Sequence, residues 1–260
     1  TRPLTYVKAD QQIFSMLGRV NYTFDNKYIL TATIRRDGVS KFANNNQYGV
    51  FPSVAFAWNA GNERFIQNLD IFESLKFRAG WGQIGNHGIG PYGSLSNYGV
   101  SSLYGNADGG TNVPIALQNL SNPDLTWETT EQTNFGVDFT TLNGVISGNI
   151  DVYDKLTKDL LQNSEIPPSS GFTRILVNKG SITNKGIELL VGGIPVKTDN
   201  FSWQVSANFS QNKNELVELI EDLESHILNT TNSGNLNIQK GMKITEANLA
   251  SNTYIEAADY

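Results

Sequence analysis

Residues 201–212 read FSWQVSANFSQN, and the alternation in this stretch decides how the rest of the chain is read. Phe201, Trp203, Val205, Ala207 and Phe209 fall on one side of an extended strand, with Ser202, Gln204, Ser206, Asn208 and Ser210 on the other, because successive strand side chains point to opposite faces. The same period of two runs through 14–24, where Phe14, Met16, Gly18, Val20, Tyr22 and Phe24 oppose Ser15, Leu17, Arg19, Asn21 and Thr23. Shorter apolar stripes occupy 28–34, 50–58, 75–81, 135–139, 146–152 and 187–191, which makes eight predicted strands.

Strand length and connection length carry the next step. An eleven-residue strand at ~3.3 Å per residue, tilted by ~45°, rises about 26 Å, close to the ~25 Å apolar band of an outer-membrane barrel. A soluble β-sandwich, for instance a carbohydrate-binding module, produces the same alternation with its stripe buried. Alternation alone leaves both readings open. The connections separate them. A tight turn at Asp25-Asn26-Lys27 is followed by a polar loop over 36–47, then by 61–74 with one helical turn predicted around 63–66. A very long loop over 86–127 precedes the Asn143-Gly144 pair of a two-residue hairpin; 160–181 is long, 195–200 short, and the segment after Lys213 long again. Short and long connections thus alternate, as they do in barrels whose turns face one compartment and whose loops face the other. Aromatics gather near both strand ends: Tyr22, Phe24, Tyr28, Trp58, Phe139, Phe201 and Trp203 at the short turns, and Phe14, Tyr48, Trp81, Trp127 and Tyr153 at the long loops. Two belts are expected where amphipathic rings settle at headgroup level.

Composition narrows the chemistry. The 260 residues are 39% hydrophobic and 17% charged, with 24 Gly, no Cys and two His, His87 and His226. A disulfide scaffold, a zinc ribbon and a cysteine nucleophile are excluded, and no multi-histidine metal site is expected. The net charge of −6 argues against a nucleic-acid partner, since no basic excess displaces counterions. No run of 18 apolar residues exists, so no helix is predicted to span a membrane, a criterion that is blind to barrels.

Residues 26–65, NKYILTATIRRDGVSKFANNNQYGVFPSVAFAWNAGNERF, resemble the barrel signature of SusC/RagA-like TonB-linked outer-membrane transporters. The core of the likeness is Arg36-Asp37-Gly38, Asn45-Asn46, Tyr48-Gly49, Phe51-Pro52-Ser53 and Ala57-Trp58. LKFRAGWGQIGN (75–86), NPDLTWETTEQTNFGVDF (122–139), NGVISGNIDVYDKLTKDLL (143–161), NKGSITNKGIELLV (178–191) and FSWQVSANFSQNKNEL (201–216) are similar to its later blocks, collinear over 14–219. The resemblance implies an all-β fold: an antiparallel transmembrane β-barrel, here a partial barrel of about eight strands with long external loops. Residues 1–260 then read as a fragment of one barrel domain, with a plug domain and a TonB-contacting segment expected upstream. It implies a bacterial outer-membrane location, outer-membrane lipid around the wall, a SusD-like lipoprotein as lid, the TonB complex as energy source and a glycan or peptide as cargo. Neither catalysis nor a cofactor is expected.

Five local features take their reading from this frame. Gly80, Gly82 and Gly85 spell G-x-G-x-x-G, but Asn86-His87-Gly88-Ile89-Gly90-Pro91 cannot open the helix a dinucleotide site requires; they read as a glycine row facing the lumen. The carboxylate pairs Glu128/Glu131 and Asp151/Asp154 lie three apart and so point to opposite faces, which defeats the convergence that glycoside hydrolysis needs. His87 reads as a solvated loop residue without a companion ligand. Tyr92, Tyr98 and Tyr104 stand in a Gly-, Ser- and Asn-rich external loop and are the substrate-contact candidates, because rings stack and hydroxyls bond at small entropic cost. Leu216, Leu219, Ile220 and Leu223 recur at helical spacing, which predicts a short amphipathic helix over 215–224.

Overall fold

The computed structural model describes residues 10–100, 104–105, 111–112, 115–198, 201–218, 225–230 and 234–239. Its frame is one antiparallel sheet of eight strands in sequence order: β1 (Ile13–Phe24), β2 (Tyr28–Val39), β3 (Tyr48–Trp58), β4 (Phe72–Asn86), β5 (Glu128–Thr141), β6 (Ile146–Lys158), β7 (Ser181–Lys197) and β8 (Ser202–Glu218). These are the eight strands read from the alternation. Short two-stranded ribbons, such as Leu161–Glu165 with Arg174–Asn178, decorate the connections.

The register keeps the two faces apart across the whole sheet. One row runs Phe24, Tyr28, Trp58, Phe77, Val137, Ile150, Leu189, Phe209, every member apolar or aromatic. A row of the other set runs Arg19, Thr33, Ser53, Gly82, Gln132, Lys155, Asn184, Asn214. The apolar stripes stay open, with Val20 68% and Phe209 57% exposed, and no second sheet covers them among the described residues. A β-sandwich would bury that stripe, so the sandwich alternative is set aside.

The register also yields the strand tilt. On β1 the apolar stripe is centred near Arg19, and on β8 near Val205, yet the row through Arg19 meets β8 at Asn214. The band therefore slides by about nine residues over seven strand steps. At ~3.3 Å per residue and ~4.8 Å per step this is a tilt of about 40°, inside the ~35–45° of outer-membrane barrels. An apolar belt perpendicular to the barrel axis must drift along tilted strands by this amount, whereas a flat sheet has no reason to drift.

The three tightest connections, 25–27, 142–145 and 198–201, fall on one rim, which they share with the longer segment 59–71; the connection 40–47 lies on the other. In the first, Asp25 and Asn26 take φ of 51° and 52° while Lys27 N–H donates to Phe24 O at 3.0 Å. In the hairpin between β5 and β6, Asn143 and Gly144 have φ of 55° and 78°, with Val145 N–H on Leu142 O at 3.1 Å. Both have the positive-φ pair of a type I′ turn, whose twist matches the strands it joins. The predicted helical turn is present as Ala60–Asn62 followed by Arg64–Gln67. Pro195, which has no N–H to give, sits at the register shift near the end of β7.

Three expectations are corrected. Glu215 to Glu218 lie in β8, where Glu215 pairs with Thr183 and Leu216 with Ile182; ladder pairing overrides the local helical spacing, and Leu219, Ile220 and Leu223 lie outside the described residues. Trp127 is 7% exposed and belongs to a buried cluster, not to a lipid belt. Tyr153 alternates onto the polar face, opposite Asn134 and Gly186, with its ring where a Cβ of Gly186 would stand.

Candidate functional site: the polar face and the long-loop rim

The polar face is a wall of amides, hydroxyls and a small ion network. Arg78 on β4 faces Asp138 on β5 in a bidentate pair, Nε and Nη2 donating to the two carboxylate oxygens at 2.8 Å each. Nη2 also donates to Asp151 of β6 at 3.1 Å, and Asp151 accepts from Asn149 Nδ2 at 2.8 Å. Gly136 lies beneath them. A Cβ there would stand 2.7 Å from Arg78 Nη2 and against the Asp151 carboxylate. The matched fork of guanidinium and carboxylate fixes β4, β5 and β6 laterally while leaving acceptor capacity toward the bore. Along β8 the same face is uncharged: Gln204, Ser206, Asn208, Ser210, Asn212 and Asn214 follow one another at every second residue.

Gly80 and Gly82 take their place on this wall, opposite Asn134 and Gln132. A Cβ on Gly80 would meet Asn134 Oδ1 at 2.6 Å, and one on Gly82 would meet Ser53 Cβ at 2.9 Å. Gly85 does not join them. Three residues beyond Gly82, it alternates to the other set opposite Thr129, and the ring of Phe51 fills the position of its missing Cβ. The row is thus two glycines long, and the third makes room for a core ring.

The opposite rim has a hydrophobic core of its own. Val39, Phe42, Phe51, Ile89, Leu125 and Trp127 are buried together, with Leu161 and Leu176 against them. Trp127 is met by Phe42 at 5.6 Å, by Phe51 edge-on at 5.5 Å and by the His87 ring at 5.3 Å and 86°. His87 Nδ1 also lies 3.4 Å from Lys41 Nζ, so His87 is a packed residue where a solvated one was expected. Three connections are tied here by side-chain to backbone bonds: Ser94 Oγ to Lys41 O at 2.8 Å, Asn46 Nδ2 to Pro123 O at 3.1 Å, Asn122 Nδ2 to Leu176 O at 2.8 Å, and Asn178 bonding both N–H and O of Thr126. The loops form a pre-organised platform at the mouth.

Tyr92 and Tyr98 stand out from it. Tyr92 adopts φ 57° in a turn and is 42% exposed; Tyr98 begins the ribbon Tyr98–Val100 paired with Ile115–Leu117 and is 71% exposed. Tyr104 lies on the next ribbon, Tyr104–Gly105 with Thr111–Asn112, and its side chain is outside the described residues. The carboxylate pairs split as their spacing requires. Asp151 joins the inner ion network, while Asp154 binds Lys185 at 2.7 Å on the other face. Glu128 accepts from Asn86 and from the Leu161 N–H, whereas Glu131 accepts from the Trp81 indole. No group of three or more His, Asp or Glu converges as a metal site among the described residues.

At the short rim, the carboxylate of Glu63 receives the Tyr28 hydroxyl at 2.8 Å and lies 3.2 Å from Lys27 Nζ, which also reaches Asp25 at 3.1 Å. The Tyr28 bond first and then Lys27 hold Glu63 below the usual carboxylate range; bonds to Asp25 and Glu63 raise Lys27 above the usual ammonium value.

The sequence reading missed the Arg78–Asp138–Asp151 network. Alternation puts all three in the polar set, but only the register shows that they meet.

Comparison with known proteins agrees with this geometry. Residues 2–242 match the family described as TonB dependent receptor-like, beta-barrel. A TonB-dependent receptor of Formosa agariphila is 37% identical over 208 residues, covering 80% of this chain and 20% of the relative. The TonB-dependent receptor SusC of Bacteroides thetaiotaomicron is 36% identical over 221 residues, covering 84% of this chain and 22% of SusC. A solved structure of the RagAB peptide transporter superposes with a TM-score of 0.79 at 29% identity, covering 89% of this chain and 25% of that one. The chain spans about a fifth of the length of the curated relatives it matches. An open eight-stranded sheet with one apolar and one polar face, matched over almost its whole length, places this chain in the TonB-dependent receptor β-barrel family, as a SusC/RagA-like portion of the barrel.

Proposed function

We propose that this chain is part of the wall of an outer-membrane transporter that imports glycans or peptides, with residues 1–260 belonging to one barrel domain. In this reading a SusD-like surface lipoprotein closes over the long-loop rim, and a plug domain elsewhere in the protein links the barrel to TonB. The observation that carries it is the two-faced sheet: an apolar band drifting at membrane-barrel tilt, backed by a continuous hydrophilic wall. The relative named SusC and the structure named a peptide transporter support import over signalling alone. The barrel contributes passage and recognition, not catalysis, and Tyr92, Tyr98 and Tyr104 supply stacking and hydrogen-bonding contacts to cargo at the mouth.

Uptake tests this directly. Cells carrying the full-length receptor should accumulate a labelled oligosaccharide or oligopeptide, and loss of TonB or of the lipoprotein should abolish accumulation. Uptake that survives without TonB, or accumulation of neither cargo class, overturns the proposal. Tyr98→Ala should weaken uptake by raising the half-saturating cargo concentration while the protein still reaches the membrane.

A further inference from the structure

Between β3 and β4 the chain leaves the sheet and exposes three large apolar side chains, Phe65 at 59%, Leu69 at 54% and Ile71 at 52%. We propose that residues 63–71 are an interfacial foot, a non-strand segment whose apolar side enters the headgroup region of the phospholipid leaflet on the short-turn side. The inference rests on the membrane placement proposed for the barrel and adds to it a contact that the strands do not make.

Its geometry comes from where the segment is rooted. Glu63 accepts the hydroxyl of Tyr28, whose ring stacks on Trp58 in the apolar row at 6.5 Å and 6°. The segment therefore starts on the lipid-facing side of the rim. Ala60 is fully buried, and a Cβ on Gly61 would stand 2.9 Å from the Leu75 backbone nitrogen, so the preceding turn is pressed onto β4. Gln67 N–H bonds Glu63 O at 2.9 Å and Asn68 N–H bonds Arg64 O at 3.0 Å. This helical turn puts Phe65 and Leu69, four apart, on one side, and leaves Arg64, Gln67 and Asn68 to face water. The apolar side continues the apolar band of the outer face, and Leu142 and Phe201, on two connections of the same rim, are each 59% exposed. Across β6 to β8 the far rim differs on this face: beyond Val152 and Ile187 it turns to Asp154, Lys185 and Lys213. An apolar patch of this size in water is disfavoured, whereas rings and aliphatic groups beside a bilayer edge are stabilised by entering it.

Residues 1–260 contribute no Cys, so nitroxide labels can be placed here one at a time in the full-length protein, with any cysteine elsewhere replaced, after reconstitution into phospholipid nanodiscs. Phe65→Cys, Leu69→Cys, Gln67→Cys and, as mid-band reference, Val54→Cys would be compared for collision with oxygen and with a water-soluble nickel chelate. Labels at 65 and 69 should favour oxygen several-fold over the label at 67, and the label at 54 should favour it most. If 65 and 69 collide with nickel as 67 does while 54 remains in hydrocarbon, the foot is wrong and the barrel placement stands. If 65 and 69 are shielded from both reagents, protein covers the segment and the inference also fails. If 54 itself is open to nickel, the placement of the barrel fails first.

Discussion

At the short-turn rim, Phe24, Tyr28, Trp58 and Phe77 stack side by side on the outer face, centroid to centroid at 6.5, 6.5 and 5.5 Å. At the long-loop rim, Phe42, Phe51 and Trp127 turn away from the surface and bury one another. The same residue type serves two solvents. Where the wall borders lipid, rings need no protein cover and can line up in a row along the interface. Where the chain projects beyond the band, water is on every side, and the loops hold their shape only by carrying an apolar core. Among the described residues the sheet centre has no such core, since its stripes are exposed on the outer face and its other face is polar.

Removing one ring from each rim breaks this contrast most sharply. Trp127→Ala should destabilise the loop platform by about 3–5 kcal/mol, the usual range for deleting a large core aromatic. Proteases should then cleave within 87–127 and 159–180 far faster than in the parent, while the barrel remains assembled. Trp58→Ala removes a ring of similar size from the outer row and should leave loop cleavage unchanged. Equal sensitivity of the loops to both substitutions would mean that the rims are not independent.

The two faces can be set against each other in the same way, one residue apart. Val205→Arg puts a charge at the centre of the β8 apolar stripe and should oppose assembly of the full-length protein by about 2–4 kcal/mol near the membrane midplane. Ser206→Arg points into the bore and should be tolerated. Folding yields in vesicles, read by resistance to heat denaturation in detergent, would separate them, and matching losses would contradict the assignment of faces.

Much of this is legible in the sequence, for a physical reason. Strand alternation is a local signal, so 201–212 and 14–24 declare their faces residue by residue, and Asn143-Gly144 declares its turn because few other pairs accept two positive φ angles. What stayed hidden depends on partners far along the chain. Trp127 looks like any strand-end aromatic until Phe42 and Phe51 are brought to it. Leu216 sits at helical spacing until β7 offers a ladder. Gly85 looks like the end of a row until Phe51 arrives from β3. At the site, alternation placed Arg78 and Asp151 on the polar wall, but the bidentate choice of Asp138 follows from register alone. The candidate tyrosines were chosen for residue type and loop length, and the structure spreads them over a turn and two ribbons.

Gly136 offers a finer probe of the inner wall. Its missing Cβ is what lets Arg78 reach both carboxylates. Gly136→Ala should therefore cost about 1–2 kcal/mol through overpacking, less than the Trp127 deletion, because flexible side-chain ends can move. Asp151→Ala in the same background should recover part of that loss by removing the carboxylate that the new Cβ would crowd. Simple additivity of the two substitutions in thermal stability would show that the glycine is not coupled to the network.

The smallest effect is at the short rim and is set by pH. Glu63 is held below the usual carboxylate range by the Tyr28 hydroxyl and Lys27, so its folded pKa is depressed relative to the unfolded chain. A depressed carboxyl contributes stability that is present above the unfolded value, near ~4.3, and is lost as pH falls through the folded value. Lys27 has the opposite sign: its raised pKa contributes below the ordinary ammonium value, near ~10.4, and that contribution disappears only on strong alkalinisation. The clamp is thus intact through neutral pH and opens on the acid side, when Glu63 takes a proton and keeps only a neutral bond to Tyr28. The parent should unfold at a slightly higher temperature than Glu63→Gln at neutral pH, and the two should converge as the pH drops well below the ordinary carboxylate range. A difference that persists undiminished in acid would show that Glu63 acts through shape and not through charge, and that the turn is held by Asn59 and Asn62 on the Asn26 carbonyl instead.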